Sequence, residues 1–403
     1  DLSVINGYAY GNNPDDRGGG MYLRSSNPEL NNVKISNNTA TFAGGGMYLS
    51  SSNPTLNNVT ISNNTVTDGD GMSTISSEGG GISLISSNPT LENVTISNNT
   101  ALIRGGGMSV WFSNPTLNNV TISNNTASDG VGMIISIDGG GIYLYSSNPT
   151  LSHVTITGNT ATDNGGAMFL SYSNPVLNHV TITGNTANYA GGMSLSASNP
   201  ILTNSIVWGN SHESIYLYND PWVDNANTEP IINYSDIQGG WEGEGNINND
   251  PLFTDPENGD YTLQANSPCI NAGTTYLELD GEIIVDLDES EYYGTAPDMG
   301  AYEYNPLSID KPVEILPVEY SLEYPYPNPF NPISYIKYSL PVNSKVILQL
   351  YNINGELIST LNNGLKSAGN HTIKWNAEGY PSGVYFIKLD AGEFTQTQKL
   401  ILI

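Results

Sequence analysis

The chain has 403 residues, 39 of them acidic and 11 basic, for a formal net charge of −28. That balance excludes nucleic-acid binding, which needs Lys and Arg against phosphate, and disfavours adhesion to anionic lipid. The one cysteine, Cys269, leaves no intrachain disulfide and no cysteine-based metal site, and no apolar run reaches the ~18 residues that span a bilayer.

Charged residues are only 12% of the chain, so Asn, Ser, Thr, Gly and Tyr must dress the surface. The charge is unevenly placed. Residues 1–205 carry 4 basic and 11 acidic groups, residues 206–310 carry 21 acidic groups and no basic one, and residues 311–403 carry 7 of each. The chain opens at Asp1 with neither Met nor a signal peptide, which points to processing or truncation.

Residues 1–205 are a repeat. Ser-Asn-Pro recurs with its Asn at 27, 53, 88, 114, 148, 174 and 199, spaced by 26, 35, 26, 34, 26 and 25 residues. A fixed period of this size specifies a stacked solenoid, and the two long spacings mark insertions. Leu56-x-x-Val59-x-Ile61-x-x-Asn64 fits a leucine-rich repeat, but the other half of each unit does not. Gly44-Gly45-Gly46-Met47-Tyr48-Leu49 is poor in helix formers and alternates in strand fashion. Short strands broken by Gly-rich, Asn-Pro and Asn-Asn turns make a parallel β-helix of about 26 residues per coil.

Three apolar columns face inward: Met21 and Met47 onward, Leu30 and Leu56 onward, and Ile35 and Ile61 onward. The Asn column from Asn38 and Asn64 to Asn210 can form an amide ladder, although turn structure is the simpler reading. The Gly triplets read as backbone turns and the Asn-x-Thr sequons as by-products of the repeat. On the outward side, Tyr22, Tyr48, Tyr143 and Phe169, with Trp111 and Tyr145 two residues further along, are expected to stack on one solvent face. Exposed aromatics pack well on sugar rings, which makes these six the candidate glycan or partner contacts.

Acidic residues gather at the insertions: Asp68, Asp70 and Glu78, then Asp129 and Asp138. A catalytic site would need convergent Asp or Glu with Lys, Arg or His on adjacent coils. None of Arg17, Arg24, Lys34 and Arg104 is expected beside a carboxylate column. His153 and His179 share one coil position, which suggests a metal pair or a polar turn slot. Enzymes of the pectate-lyase-like β-helix class are the natural comparison. The resemblance implies carboxylate and cationic groups clustered on adjacent coils.

Residues 206–304 read as final coils plus an acidic cap, since a solenoid end exposes unpaired strand edges. Asp280, Asp286, Asp288 and Glu289 have no basic partner and are calcium candidates. Asp250-Pro251-Leu252-Phe253, Gly259-Asp260-Tyr261-Thr262-Leu263, Ser267-Pro268-Cys269-Ile270-Asn271-Ala272-Gly273 and Asp298-Met299-Gly300-Ala301-Tyr302-Glu303 resemble, in that order, the choice-of-anchor Q type of secreted bacterial β-helix protein. The resemblance implies a right-handed helix and a surface location.

Pro306, Pro312 and Pro317 place a linker at 305–323. The alternating runs beyond it, over 324–403, predict a small immunoglobulin-like β-sandwich. Tyr326-Pro327-Asn328-Pro329-Phe330-Asn331-Pro332, Leu350-Tyr351-Asn352-Ile353-Asn354-Gly355 and the terminal Lys399-Leu400-Ile401-Leu402-Ile403 resemble the type IX secretion C-terminal sorting domain. That resemblance implies a Gram-negative bacterium of the Bacteroidota or a related group, the type IX machinery as partner, and an extracellular or outer-membrane-surface destination. The sequence thus predicts an all-β secreted surface protein, adhesive, structural or glycan-contacting, whose other partners are extracellular polysaccharide or copies of itself. A polysaccharide lyase or glycoside hydrolase, and a self-assembling filament subunit, remain open alternatives; the sequence specifies no cofactor, and calcium is the one candidate.

Overall fold

The computed structural model describes residues 2–11, 13–67, 77–128, 136–218, 228–305, 319–342, 344–366, 369–392 and 394–403. It consists of two compact units, Asp1–Asn305 and Pro306–Ile403.

The first unit is a parallel β-helix. One sheet stacks eight strands in sequence order, from Met21–Arg24 to Glu213–Leu217. A 15-stranded sheet holds the next two strands of each coil, such as Glu29–Asn31 and Val33–Ser36, and a six-stranded sheet of two-residue strands runs from Tyr8–Ala9 to Thr160–Ala161. Register is coil on coil: Met21 pairs with Met47, Ile82 with Met108, and Leu91 with Leu117. The apolar columns read from the sequence are therefore the core. Met47, Leu56, Ile61, Leu91 and Ile96 are each at most 1% exposed.

Each corner turns on a residue in the left-handed region. Ser51, Asn58, Asn63 and Gly44 hold φ of 51°, 54°, 56° and 67°. Asn tolerates this conformation through local hydrogen bonding and Gly through its missing Cβ. The Asn38 column is more than turn structure. Asn38, Asn64, Asn99, Asn125, Asn159 and Asn185 are at most 1% exposed. The Asn38 oxygen accepts from Gly7 N, and from Asn64 on each amide oxygen accepts from the Asn of the preceding coil, as Asn99 Oδ1 does from Asn64 N and Nδ2 at 3.0 Å. The Ser52 column does likewise on the far side, Ser87 Oγ accepting from Ser52 N at 3.0 Å.

The expected end cap divides into two parts. Trp241 packs against the main core beside Ile237, at the last coil. The segment beyond Asp250 lies along the outer face of the 15-stranded sheet. Tyr261 Oη meets Thr157 Oγ1 at 2.6 Å, Tyr302 Oη accepts from Thr155 Oγ1 at 3.2 Å, and Ala301 N donates to Thr181 Oγ1 at 2.9 Å. A second small core of Ile206, Phe253, Leu263, Cys269 and Met299 seals the contact. The Asp298–Glu303 motif is a knot of main-chain bonds. Asp298 accepts from Asn271 N at 2.8 Å and also from Tyr304 N, while Glu303 accepts from Asp298 N at 2.9 Å.

The second unit packs a three-stranded antiparallel sheet and a four-stranded one around a core containing Phe330, Tyr338, Trp375 and Ile387. Its signature residues staple the last strand. Asn328 Nδ2 donates to Lys399 O at 2.7 Å and Asn328 Oδ1 accepts from Ile401 N at 2.9 Å, while Phe330 packs tilted against Trp375 at 5.0 Å. Tyr326 instead stays exposed.

Candidate functional site

The eight-stranded sheet carries two outward columns. One runs Tyr22, Tyr48, Ser83, Ser109, Tyr143, Phe169 and Ser194. The other, two residues on, runs Arg24, Ser50, Ile85, Trp111, Tyr145 and Ser171. The six expected aromatics therefore form two groups, because Ser83 and Ser109 interrupt the first column. Tyr22 stacks on Tyr48 at 5.3 Å. Separately, Tyr143 stacks on Phe169 at 5.6 Å and Trp111 leans on Tyr145 at 4.6 Å and Tyr143 at 5.6 Å.

The expected solvent face holds for only part of this set. Tyr48, Tyr143 and Phe169 are 5%, 4% and 7% exposed. Cations lie over two of the rings: the Arg17 guanidinium sits 5.4 Å from Tyr48, and that of Arg104 sits 5.2 Å from Tyr143. Trp111 and Tyr145 keep partial exposure.

The structure adds two aromatics that the sequence reading missed. Phe112 and Tyr172 are 58% and 47% exposed. They pack edge-on against Tyr145 from either side, at 5.6 and 5.9 Å. Both sit at the left-handed corner before the buried Ser column, with φ of 50°. Ser25, Ser51, Ser86 and Ser146 hold this corner in four other coils and Ala197 in a fifth. The left-handed backbone costs any residue with a Cβ on the order of 1 kcal/mol, and a largely exposed ring returns little through burial. The signal was available in the sequence as two departures from an otherwise small-residue column. Trp111, Phe112, Tyr145 and Tyr172 thus form one continuous patch over three coils.

A polar ladder supports that patch. Arg17, Ala43, Glu78, Arg104, Asp138 and Asn164 occupy one bridge position on successive coils. Arg104 therefore does lie beside carboxylates, contrary to the sequence expectation. Glu78 and Asp138 belong to different insertions, so their register was not legible before the coils were stacked. Arg104 Nη1 donates to Glu78 Oε1 at 3.1 Å, while Glu78 Oε2 accepts from Trp111 Nε1 at 2.6 Å and from Ser109 Oγ at 3.1 Å. Asp138 Oδ1 accepts from Ser136 Oγ at 2.5 Å and Asn164 Nδ2 at 2.9 Å. Burial pushes the Glu78 carboxyl up against the pull of Arg104, and pushes Asp138 up to about 6. The ladder anchors the indole of Trp111 from beneath. Asp68, Asp70 and Asp129 lie outside the described residues.

His153 and His179 occupy the same left-handed corner as Asn32, Asn58, Asn93 and Asn119, with rings stacked at 4.9 Å. His153 Nδ1 contacts Ser152 Oγ at 2.9 Å. The buried His179 has no partner for either ring nitrogen among the described residues, and burial lowers it to about 3. Asp280 turns the exposed hairpin between Tyr276–Leu279 and Glu282–Asp286, and Asp288 N donates to Glu291 at 2.9 Å. Asp286, Asp288 and Glu289 follow along that segment and do not converge. Among the described residues, no three His, Cys, Asp or Glu side chains come together as a metal-binding group.

Fold and surface together define a right-handed parallel β-helix protein with a separate β-sandwich tail. Residues 3–149 and 133–246 match the family described as right handed beta helix region, and the chain belongs to that family. Residues 325–403 match the secretion system C-terminal sorting domain, the type IX tail of secreted and cell-surface proteins of Bacteroidota-like bacteria. Among curated proteins, none matches the chain. The crystal structure of pectate lyase Pel9A superposes with a TM-score of 0.45 at 14% identity, over 72% of this chain and 69% of its own. No helix among the described residues is long and apolar enough to cross a membrane.

Proposed function

We propose that this secreted β-helix protein contacts glycans at the cell exterior through the patch of Trp111, Phe112, Tyr145 and Tyr172. The supporting observation is the placement of two exposed rings at left-handed corners where other coils use Ser or Ala. Flat aromatic faces with polar tips suit sugar rings, and Glu78 holds the Trp111 indole in place.

Replacing Phe112 and Tyr172 by Ser restores the residue of the neighbouring coils. The double variant F112S/Y172S is expected to keep its Tm, because Ser holds the same backbone in four other coils, and to lose at least tenfold in retention on an insoluble-glycan panel. Full retention with unchanged folding would overturn this reading.

A lyase or glycosidase reading has one observation in its favour, the convergence of Glu78, Arg104 and Asp138 on adjacent coils. Both Glu78 oxygens and one oxygen of Asp138 are taken up by internal partners, which suits support better than proton transfer. Release of reducing ends or unsaturated products from any polysaccharide, abolished by Glu78→Gln, would favour the enzyme.

A further inference from the structure

A second feature of the β-helix stands apart from the aromatic patch, on a different sheet. Where the segment beyond Asp250 lies along the coils, it leaves two adjoining cavities of about 590 and 490 Å³. Gly184, Pro256, Glu257 and Tyr261 line both. Cavities of this size hold small-molecule ligands.

The floor of this groove is written into the repeat. The third strand of the early coils ends Ser-Asn, as at Ser36-Asn37, Ser62-Asn63, Ser97-Asn98 and Ser123-Asn124. The next two coils read Thr157-Gly158 and Thr183-Gly184, and the third reads Trp208-Gly209. The backbone is the same in all seven. The four Asn hold φ between 54° and 58°, and the three Gly hold 64° to 67°. The change to glycine is therefore not demanded by the turn. Its consequence is the loss of a side chain where the groove opens. At Gly158 a Cβ would crowd Asn124 Oδ1, but on Gly184 and Gly209 it would meet nothing nearer than Thr157 Oγ1 at 3.7 Å and Thr183 Oγ1 at 3.5 Å.

The groove has the chemistry of a carbohydrate site. Trp208, only partly buried, faces one cavity, and Tyr302 borders the other. Tyr261 is held upright between them by its 2.6 Å bond to Thr157. Hydroxyls and amides of Thr121, Ser123, Asn124 and Gln264 supply the remaining polar edge. Among the described residues, no Lys, Arg or His lines either cavity, while Asp250 and Glu257 do. Carboxylates without a cation exclude uronic acids and sulfated sugars by like-charge repulsion and accept sugar hydroxyls as donors.

We propose that the groove between coils at Gly158, Gly184 and Gly209 and the wall at Pro256–Tyr261 binds a short stretch of neutral polysaccharide. The proposal does not rest on the aromatic patch and survives its failure. The test uses the full chain in the F112S/Y172S background, so that only the groove is read. Isothermal titration is run with neutral hexasaccharides of β-glucan, xylan and mannan type, with an oligogalacturonate and an oligomeric glucosamine as charged arms. At least one neutral hexasaccharide is expected to bind. Gly184→Asn, which installs the residue of the early coils at an unchanged backbone, is expected to leave Tm unchanged and weaken that binding at least tenfold. Trp208→Ala is expected to weaken it as well. Absence of binding by every neutral probe, preference for either charged probe, or binding indifferent to Gly184→Asn at native Tm would each overturn the proposal.

Discussion

Asn99 shows how a single side chain holds two coils. Its amide accepts two bonds from Asn64 and donates to Ile61 O and Asn125 Oδ1, both at 2.9 Å, with no exposure to water. Asn99→Ala removes four buried bonds and leaves Asn64 N without its acceptor, while Asn64 Nδ2 keeps Ile35 O and Asn125 Oδ1 keeps Asn99 N. Each unsatisfied group costs about 1–3 kcal/mol, so the variant is expected to lose about 3 kcal/mol or more in urea unfolding of the β-helix. An exposed Asn of the same repeat, such as Asn53, should lose well under 1 kcal/mol when changed to Ala, roughly the surface norm. The repeat made both residues visible in the sequence. Burial separates them, and that depends on which way the corner turns.

At the scale of the strand, alternation correctly predicted which side of the first strand each residue takes. Met47 and Leu49 point in, and Tyr48 points out. Alternation does not say what lies over the outward side, so it makes Tyr48, Tyr143 and Phe169 solvent-facing when they are covered. The Arg104 position is the counterpart. One residue before a Gly triplet looks like loop, yet stacking brings it between Glu78 and Asp138. Arg104→Ala leaves the Glu78 carboxylate buried without its cation. A loss of about 3 kcal/mol or more is expected in denaturant unfolding. The double change E78M/R104M should recover much of that loss, because apolar replacement of a buried pair is often close to neutral. A double variant as unstable as the single one would show that the pair itself contributes the stability.

For the whole molecule, the acidic segment acts as a flank rather than a lid. It grips the corner column at Asn204, which accepts from Thr274 N at 2.7 Å and donates to Thr274 O at 3.0 Å. One coil earlier in that column is His179, 2% exposed and held neutral, its pKa lowered by burial and then by His153. The unfolded chain takes up this proton near the ordinary value of 6.5 and the folded chain only near about 3. Stability from neutral His179 is therefore complete above pH 6.5 and is lost as pH falls toward 3. Asp138 and Asp236, raised to about 6, and Glu303, raised to about 7, act in the opposite sense, since their contribution is lost as pH rises through those values. His179→Asn isolates the histidine. The stability of the wild type relative to this variant should be flat above pH 6.5 and fall below it. A pH-independent difference in Tm would contradict the assignment.

Much of this protein is determined locally and repeated. Ser-Asn-Pro spacing, strand alternation and Asn or Gly corners set the coil, because each coil needs only its neighbours to bury its columns. The sorting tail was equally legible, since its signature residues staple adjacent strands of one small domain. The sequence also held the coil-specific departures, Phe112 and Tyr172 among Ser, and Gly158 and Gly184 after four Asn. Only the tertiary structure decided what those departures do. Insertions of unequal length hide the register of Glu78, Arg104 and Asp138 until the coils are stacked. The groove over Gly184 exists because residues some 70 positions later fold back onto it. Burial and convergence depend on these long-range placements, which no single period in the sequence encodes.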